Sequence, residues 1–370
     1  MVILLVETKH FEFPELSLES GGRLGPVTVA YETYGALNDA KSNAILIFHA
    51  LSGDAHVAGR HSADDKKPGW WDNMVGPGKA FDTNKYFVIC ANVLGGCKGT
   101  TGPSSIDPKS GKPYGPDFPL ITIKDMVNCQ LKLLDFLGIE TVLAATGGSM
   151  GGMLALQMAV SAPGRVRNVI GVATSAHVSA QNIAFNEVGR RAIISDPHWY
   201  GGAYYDKTPP SDGLSIARMI GHITYLSDKT MREKFGRKVQ SGKGFVAKFG
   251  EHQFEVESYL KYKGTTFTER FDANSYLYIT KAIDLFNLED EGGGSLAKAL
   301  ARATSRFLII HFSSDWLFPE YQALELVDAL KDNLANVSYR VIESNYGHDA
   351  FLLEEEALTR TIVSFLEGAK

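Results

Sequence analysis

Gly147-Gly148-Ser149-Met150-Gly151-Gly152 sets a serine among glycines where a β-branched, apolar run (TVLAAT, 141–146) gives way to a run of helix formers (MLALQMA, 153–159). A strand that turns sharply into a helix stands its serine proud of a sheet, and the flanking glycines admit the strained backbone and close packing such an elbow needs. The chemistry of an exposed, activated hydroxyl is attack on an acyl carbon. A serine is a poor nucleophile at neutral pH, so the chain must also hold a base and a group that orients the base. In elbows of this type the partners follow in the order serine, acid, histidine. Asp315 lies in SSDWLFP (313–319) after the strand-like run RFLIIHF (306–312), and His348 lies in NYGHD (345–349) after VSYRVIE (337–343). Both occupy loops after strands, and such loops gather at the carboxyl edge of a parallel sheet, where the elbow presents Ser149.

An acyl transfer also needs donors for the oxyanion. In an α/β hydrolase one backbone N–H comes from the loop after an early strand and the other from the residue that follows the nucleophile. Leu51, in His49-Ala50-Leu51-Ser52-Gly53-Asp54 after the run AILIF, and Met150 fill those positions. His49, Asp54, His56 and His61 carry metal-ligand chemistry, but their spacing matches no familiar site, and no metal is expected. Cys97 sits among glycines without a histidine and acid pair of its own, so it reads as part of a pocket wall. The glycine spacing of the elbow does not suit a dinucleotide, and no P-loop lysine follows it.

The elements that must position these residues alternate. Runs at 27–34, 44–48, 86–92, 141–146 and 166–173 read as strands, the last three as continuous apolar runs of the kind buried on both faces of a parallel sheet. The helical run 123–137 ends at Gly138, and the N-terminal MVILLVETKHFEF reads as a first strand. From about Ser179 to Leu300 the strand signal fades into helical segments before the sheet resumes at Arg306, continues through a helix at 320–331 and a strand at 337–343, and closes with a helix over 350–366. The expectation is an α/β-hydrolase fold: a mostly parallel sheet flanked by helices, with residues 1–178 and 301–370 as the core domain and 179–300 as a helical lid domain.

With 370 residues, 44% hydrophobic and 21% charged, the chain can bury a large core. A net charge of −5 without a basic run argues against nucleic acid, and no apolar stretch approaches the roughly 20 residues that span a bilayer. Three cysteines, Cys90, Cys97 and Cys129, are too few for a disulfide framework and suit the cytoplasm.

Several segments in order resemble homoserine O-acetyltransferases of the α/β-hydrolase superfamily: HALSGDAH (49–56), PGWWD (68–72), NVLGGCKGTTGP (92–103), the elbow, ARMIGHITYL (217–226) and the two loops holding Asp315 and His348. The resemblance implies acetyl transfer from acetyl-CoA, through an acyl-Ser149, to the hydroxyl of L-homoserine in methionine biosynthesis, with acetyl-CoA a substrate and no resident cofactor. It implies that Arg218, Tyr225 and Asp349 recognise the amino acid, and that the protein forms a homodimer through its lid. Their chemistry suits the role, since a guanidinium grips a carboxylate and a carboxylate pairs with an ammonium. Arg218 as an external ion-pair residue and Asp349 as a helix cap are the competing readings. Rival activities are succinyl transfer to homoserine, acyl transfer to serine, simple ester hydrolysis, and a binding module without catalysis.

Overall fold

The β-branched and apolar runs pair into one sheet of eight strands. The computed structural model describes residues 4–240, 251 and 253–368. The strands are β1 (Lys9–Phe13), β2 (Val27–Tyr34), β3 (Ala44–Phe48), β4 (Phe87–Ala91), β5 (Val142–Gly148), β6 (Val166–Val172), β7 (Arg306–Phe312) and β8 (Val337–Ile342). Their order across the sheet is β1-β2-β4-β3-β5-β6-β7-β8. β1 and β4 flank β2 antiparallel, and every pairing from β4 to β8 is parallel.

Alternation along the central strands divides the core in two. Leu46 and Phe48 enter one cluster with α1 (Ile123–Phe136) and α2 (Met150–Ser161), while Ile45 and Ile47 enter the other with Trp71 and Phe351. A two-residue side-chain period makes this inevitable for a strand covered on both faces. α1 begins at a capping box, in which Thr122 and Asp125 satisfy each other's backbone N–H groups.

Residues between the core's two stretches fold into α3 (Ala180–Ile194), α4 (Ser211–Tyr225), α5 (Asp228–Lys234), α6 (Glu255–Thr268), α7 (Ala273–Asp284) and α8 (Leu296–Leu300). Residues 241–250 of this stretch lie outside the described residues, as do Met1–Ile3 of the expected first strand. The chain then passes through α9 (Glu320–Asp332) to the short α10 (Ala350–Leu353) and α11 (Glu355–Glu367).

Three boundaries differ from the sequence reading. The first strand starts only at Lys9, and Leu5 makes no more than an isolated bridge to Arg60. β5 continues through Gly147 and Gly148, because Phe48 of β3 and Val172 of β6 keep pairing with them. The closing helix is broken at Glu354, whose ψ of 62° is not helical. The indole N–H of Trp71 donates to the Phe351 carbonyl at 2.9 Å and the Asn73 amide to that of Leu352 at 3.2 Å, drawing both carbonyls away from continued helix bonding.

Four of the residues weighed as metal ligands do not converge. His49 turns inward, whereas His56 and His61 meet on Glu32 of β2, Nδ1 at 3.0 Å from one carboxylate oxygen and Nε2 at 2.7 Å from the other. Glu32, His56 and His61 bring donor atoms within 4.8 Å of one another. Thr8 and Tyr34 also donate to the same carboxylate, at 2.8 and 2.5 Å, so its oxygens are saturated by hydrogen bonds and the cluster ties the loop after β3 to the sheet. Burial alone would raise the Glu32 pKa, but the bonds from His56, Tyr34, His61 and Thr8 outweigh it and hold it at about 2. The folded value lies below the unfolded one, so this stabilisation is complete above the ordinary glutamate range and is lost as pH falls toward 2. Glu32→Gln should lower stability at pH 6 by about 1–3 kcal/mol and flatten the acid limb below pH ~4.5, read by urea titration at several pH values.

Candidate active site

Ser149 stands at the N-cap of α2 with φ 58° and ψ −123°, a conformation that costs a non-glycine residue about 1–3 kcal/mol. Four hydrogen bonds hold it there: its N–H donates to Val172 O at 2.9 Å, and its carbonyl accepts from the Thr174 hydroxyl and the Gly152 N–H at 2.9 Å each and from the Met153 N–H at 3.3 Å. The turn also closes on itself. A Cβ on Gly147 would lie 2.4 Å from Phe48 O, and one on Gly151 2.2 Å from the same oxygen, so both must be glycine for β3, β5 and α2 to approach.

The loops after β7 and β8 bring the expected acid and base together. Asp315 and His348 are both buried, with Oδ2 and Nδ1 2.7 Å apart. The other carboxylate oxygen accepts the N–H groups of Leu317 and Phe318, each at 3.0 Å. Asp315 therefore both caps its own turn and orients the imidazole. Phe318 stacks on the His348 ring at 5.0 Å, Phe351 meets it edge-on at 5.7 Å, and Tyr225 lies 6.0 Å away. Gly347, at φ 69°, has no space for a Cβ, since the backbone N of Ser227 and O of Tyr225 lie 2.6 and 2.7 Å from it.

Ser149 lines a cavity of about 60 Å³ together with Leu51, Met150, Tyr225, Phe318 and Asn182. Its hydroxyl makes no hydrogen bond among the described residues, so the serine–histidine contact is left open while the histidine–aspartate contact is closed. Such contacts tighten when a substrate fills the site. No ionised side chain lines this cavity. The Asn182 carboxamide is buried there with neither its nitrogen nor its oxygen partnered, a residue that sequence reading passed over because a lone asparagine carries no motif.

Leu51 and Met150 border Ser149 from the two expected loops, and among the described residues neither N–H is engaged by another group. His49 supports that loop. Its Nε2 accepts the N–H of Val93 at 3.0 Å, which leaves the proton on Nδ1 to donate to Ala50 O at 2.8 Å. Burial lowers its pKa and keeps the ring neutral, as this pairing requires.

Arg218 is no external ion-pair residue. It donates to the Ser52 hydroxyl at 3.2 Å and lies over the rings of Phe267, at 4.7 Å, and Tyr225, at 5.6 Å, beside the loop that carries Leu51. Arg270 donates to Ser52 O at 3.0 Å from the same side. Asp349 precedes α10 but makes no side-chain cap, which leaves its carboxylate free for a ligand. Burial raises its pKa, and His348, Arg218 and Lys263 offset part of that rise. Burial also pushes the Cys97 thiol up to about 11, against a nucleophilic role.

Sheet order, elbow and carboxylate–imidazole pair are those of the α/β-hydrolase fold, whose family model matches residues 43–355. Homoserine O-acetyltransferases of Methanohalobium evestigatum and Deferribacter desulfuricans are 59% and 57% identical to the chain, each over 98% of it and over 73% and 96% of their own lengths. The crystal structure of homoserine O-acetyltransferase from Bacillus anthracis superposes with a TM-score of 0.93 at 33% identity, covering 98% of both chains. Esterase E22 superposes with a TM-score of 0.90, also at 33% identity, over 98% of this chain and all of its own. The chain belongs to the homoserine O-acetyltransferase family of α/β hydrolases.

Gly151→Ala should drive a methyl into Phe48 O and cost about 1–3 kcal/mol of stability, measured by chemical denaturation, with loss of any serine acylation. Retention of full stability would mean that the elbow is looser than these distances require.

Proposed function

We propose that the protein transfers acetyl from acetyl-CoA to the side-chain hydroxyl of L-homoserine, supplying an activated ester for methionine biosynthesis. The observation that carries the reading is the strained Ser149 in one neutral cavity beside the buried Asp315–His348 pair, on a chain that matches acetyltransferases of homoserine along nearly its whole length.

The chemistry runs in two halves. With Nδ1 committed to Asp315, His348 accepts the Ser149 proton at Nε2, and the serine oxygen attacks the thioester carbon. The oxyanion falls between the N–H groups of Leu51 and Met150, and collapse expels the CoA thiolate, which carries off the proton from His348. The neutral His348 next removes the proton of homoserine's hydroxyl, which attacks the acetyl-serine, and a second collapse breaks the acyl–serine bond as His348 returns that proton to Ser149. Arg218 binds the α-carboxylate and Asp349 the α-ammonium, with Tyr225 forming the wall between them and His348. These two ions fix the zwitterion and so aim its hydroxyl.

The absence of charge in the cavity lining supports an acetyl over a succinyl donor, because a second carboxylate would be desolvated there without a cation. The stretch 179–300 serves as the lid, keeping the acyl-enzyme from water. Its α4 has two faces. Arg218 and Tyr225, seven residues apart, serve the site, whereas Ile216 and Ile223, offset by two positions or about 200°, are exposed. Ile183 and Val188 of α3 add exposed apolar surface, which supports a homodimer through the lid. No helix among the described residues is long and apolar enough to cross a membrane. The similarity to esterase E22 supports hydrolysis as a second reading.

Acetyl-CoA or succinyl-CoA assayed against homoserine, serine or water, with CoA release and product mass followed, separates these activities. The expected result is O-acetylhomoserine, with CoA release stalling after one acetyl per site when homoserine is withheld; equal release with and without homoserine would make the protein an esterase. Asp315→Asn should keep the turn yet slow transfer by about 10³–10⁴-fold. Arg218→Ala should raise the homoserine KM while acetylation of Ser149 persists. Because Asp349 pairs with the ammonium only when ionised, the homoserine KM should climb as pH falls toward its raised pKa, and Asp349→Asn should abolish that dependence.

A further inference from the structure

Beyond the cavity, a line of rings leads outward from the base: Tyr225 beside His348, His222 at 6.1 Å from Tyr225, and Tyr259 at 5.7 Å from His222. Two lysines stand at its outer end, and two arginines lie nearer Ser52. Lys234 lies 4.6 Å and Lys263 5.6 Å from the centre of the Tyr259 ring, and Arg270 lies 5.1 Å from that of Phe267, which Arg218 also covers.

Among the described residues none of Arg218, Lys234, Lys263 and Arg270 forms an ion pair with a carboxylate. Each is held by aromatic faces or by Ser52 instead. In a protein of net charge −5, four cations gathered without an ion pair among the described residues are a local excess of positive charge. The cations also act on one another. Burial together with Arg218, Lys234 and Lys67 lowers the Lys263 pKa, Asp349 opposing, and burial with Arg218, Lys263, Lys234 and Arg270 lowers that of His222 to about 3. Like charges gathered at one rim, with Asp349 opposing them only in part, raise the free energy of the empty protein, and an anion that docks there relieves it.

We infer that Lys234 and Lys263 form the subsite that takes the phosphates at the nucleotide end of the acyl-CoA donor. The inference rests on the acyl-CoA reading given above. Homoserine offers one carboxylate, which Arg218 satisfies, so the remaining cations need a polyanion. A pantetheine arm separates the thioester of acetyl-CoA from its phosphates, so cations for the phosphates belong at the outer end of the ring line and not beside Ser149. Tyr259 holds the two ammonium groups by their attraction to its face and leaves their N–H donors free.

The test is steady-state kinetics of the intact protein and of the double variant Lys234→Ala, Lys263→Ala, with acetyl-CoA and with S-acetylpantetheine, which has the same thioester arm and no phosphate. The variant should raise the KM for acetyl-CoA about tenfold, leaving kcat and the KM for homoserine unchanged, and the effect should shrink in high salt. S-acetylpantetheine kinetics should not move, and the corresponding double arginine variant should restore acetyl-CoA use. An acetyl-CoA KM within about twofold of the unaltered protein's would overturn the subsite, as would an equal loss with both donors, which marks a damaged lid. If the unaltered protein itself released no CoA from acetyl-CoA, the subsite and the acyl-CoA reading would fall together; release with an unchanged variant removes the subsite alone.

Discussion

The Asp315 carboxylate joins two loops that are more than thirty residues apart in the chain, and the geometry of the site depends on its two oxygens being used differently. One oxygen takes the N–H groups of Leu317 and Phe318 and so shapes the loop after β7; the other holds Nδ1 of His348 from the loop after β8. A carboxylate so engaged cannot rotate without breaking bonds on both sides. The imidazole it orients is walled by Phe318 and Phe351, and Phe351 is packed in turn where a Cβ on Gly148 would sit. Base and elbow are thus parts of one packed unit.

Backbone proximity has the same importance on the opposite side of the serine. Phe48 O approaches both Gly147 and Gly151, which pins the end of β3 to the elbow and places the following loop, with Leu51, beside Ser149. His49 fixes that loop with a neutral ring bonded at both nitrogens, and Glu32 gathers His56 and His61 further along it. Two histidine features that resemble ligand chemistry in sequence therefore serve as scaffolding for the loop that carries Leu51.

The helical segment meets the core at the loops that carry Asp315 and His348. Gly347 lies against the chain leaving α4, Ser227 donates to Asn345 O, and the Trp316 indole donates to Leu226 O at 2.9 Å. Both loops are thereby braced by the segment that carries Arg218 and Tyr225. A shift of α4 would be felt at the base and at the proposed substrate residues together, which links ligand binding to the alignment of the base.

The amino-acid sequence by itself determined most of the strands, because parallel strands buried on both faces leave continuous apolar runs, as in AILIF and RFLIIHF, and it determined the elbow, because few other reasons put four glycines around one serine. The order of Ser149, Asp315 and His348 was legible from the loops that follow those runs. What only the tertiary structure decided were relations between side chains distant in sequence: that His56 and His61 clasp Glu32, that Trp71 and Asn73 break the last helix at Glu354, that Asp315 divides its oxygens between two loops, that Asn182 stands unpartnered in the cavity, and that Arg218, Lys234, Lys263 and Arg270 form no ion pairs. Periodicity reports which face of an element is buried, but not which partner a polar atom finds there. That choice is made by packing across the whole chain.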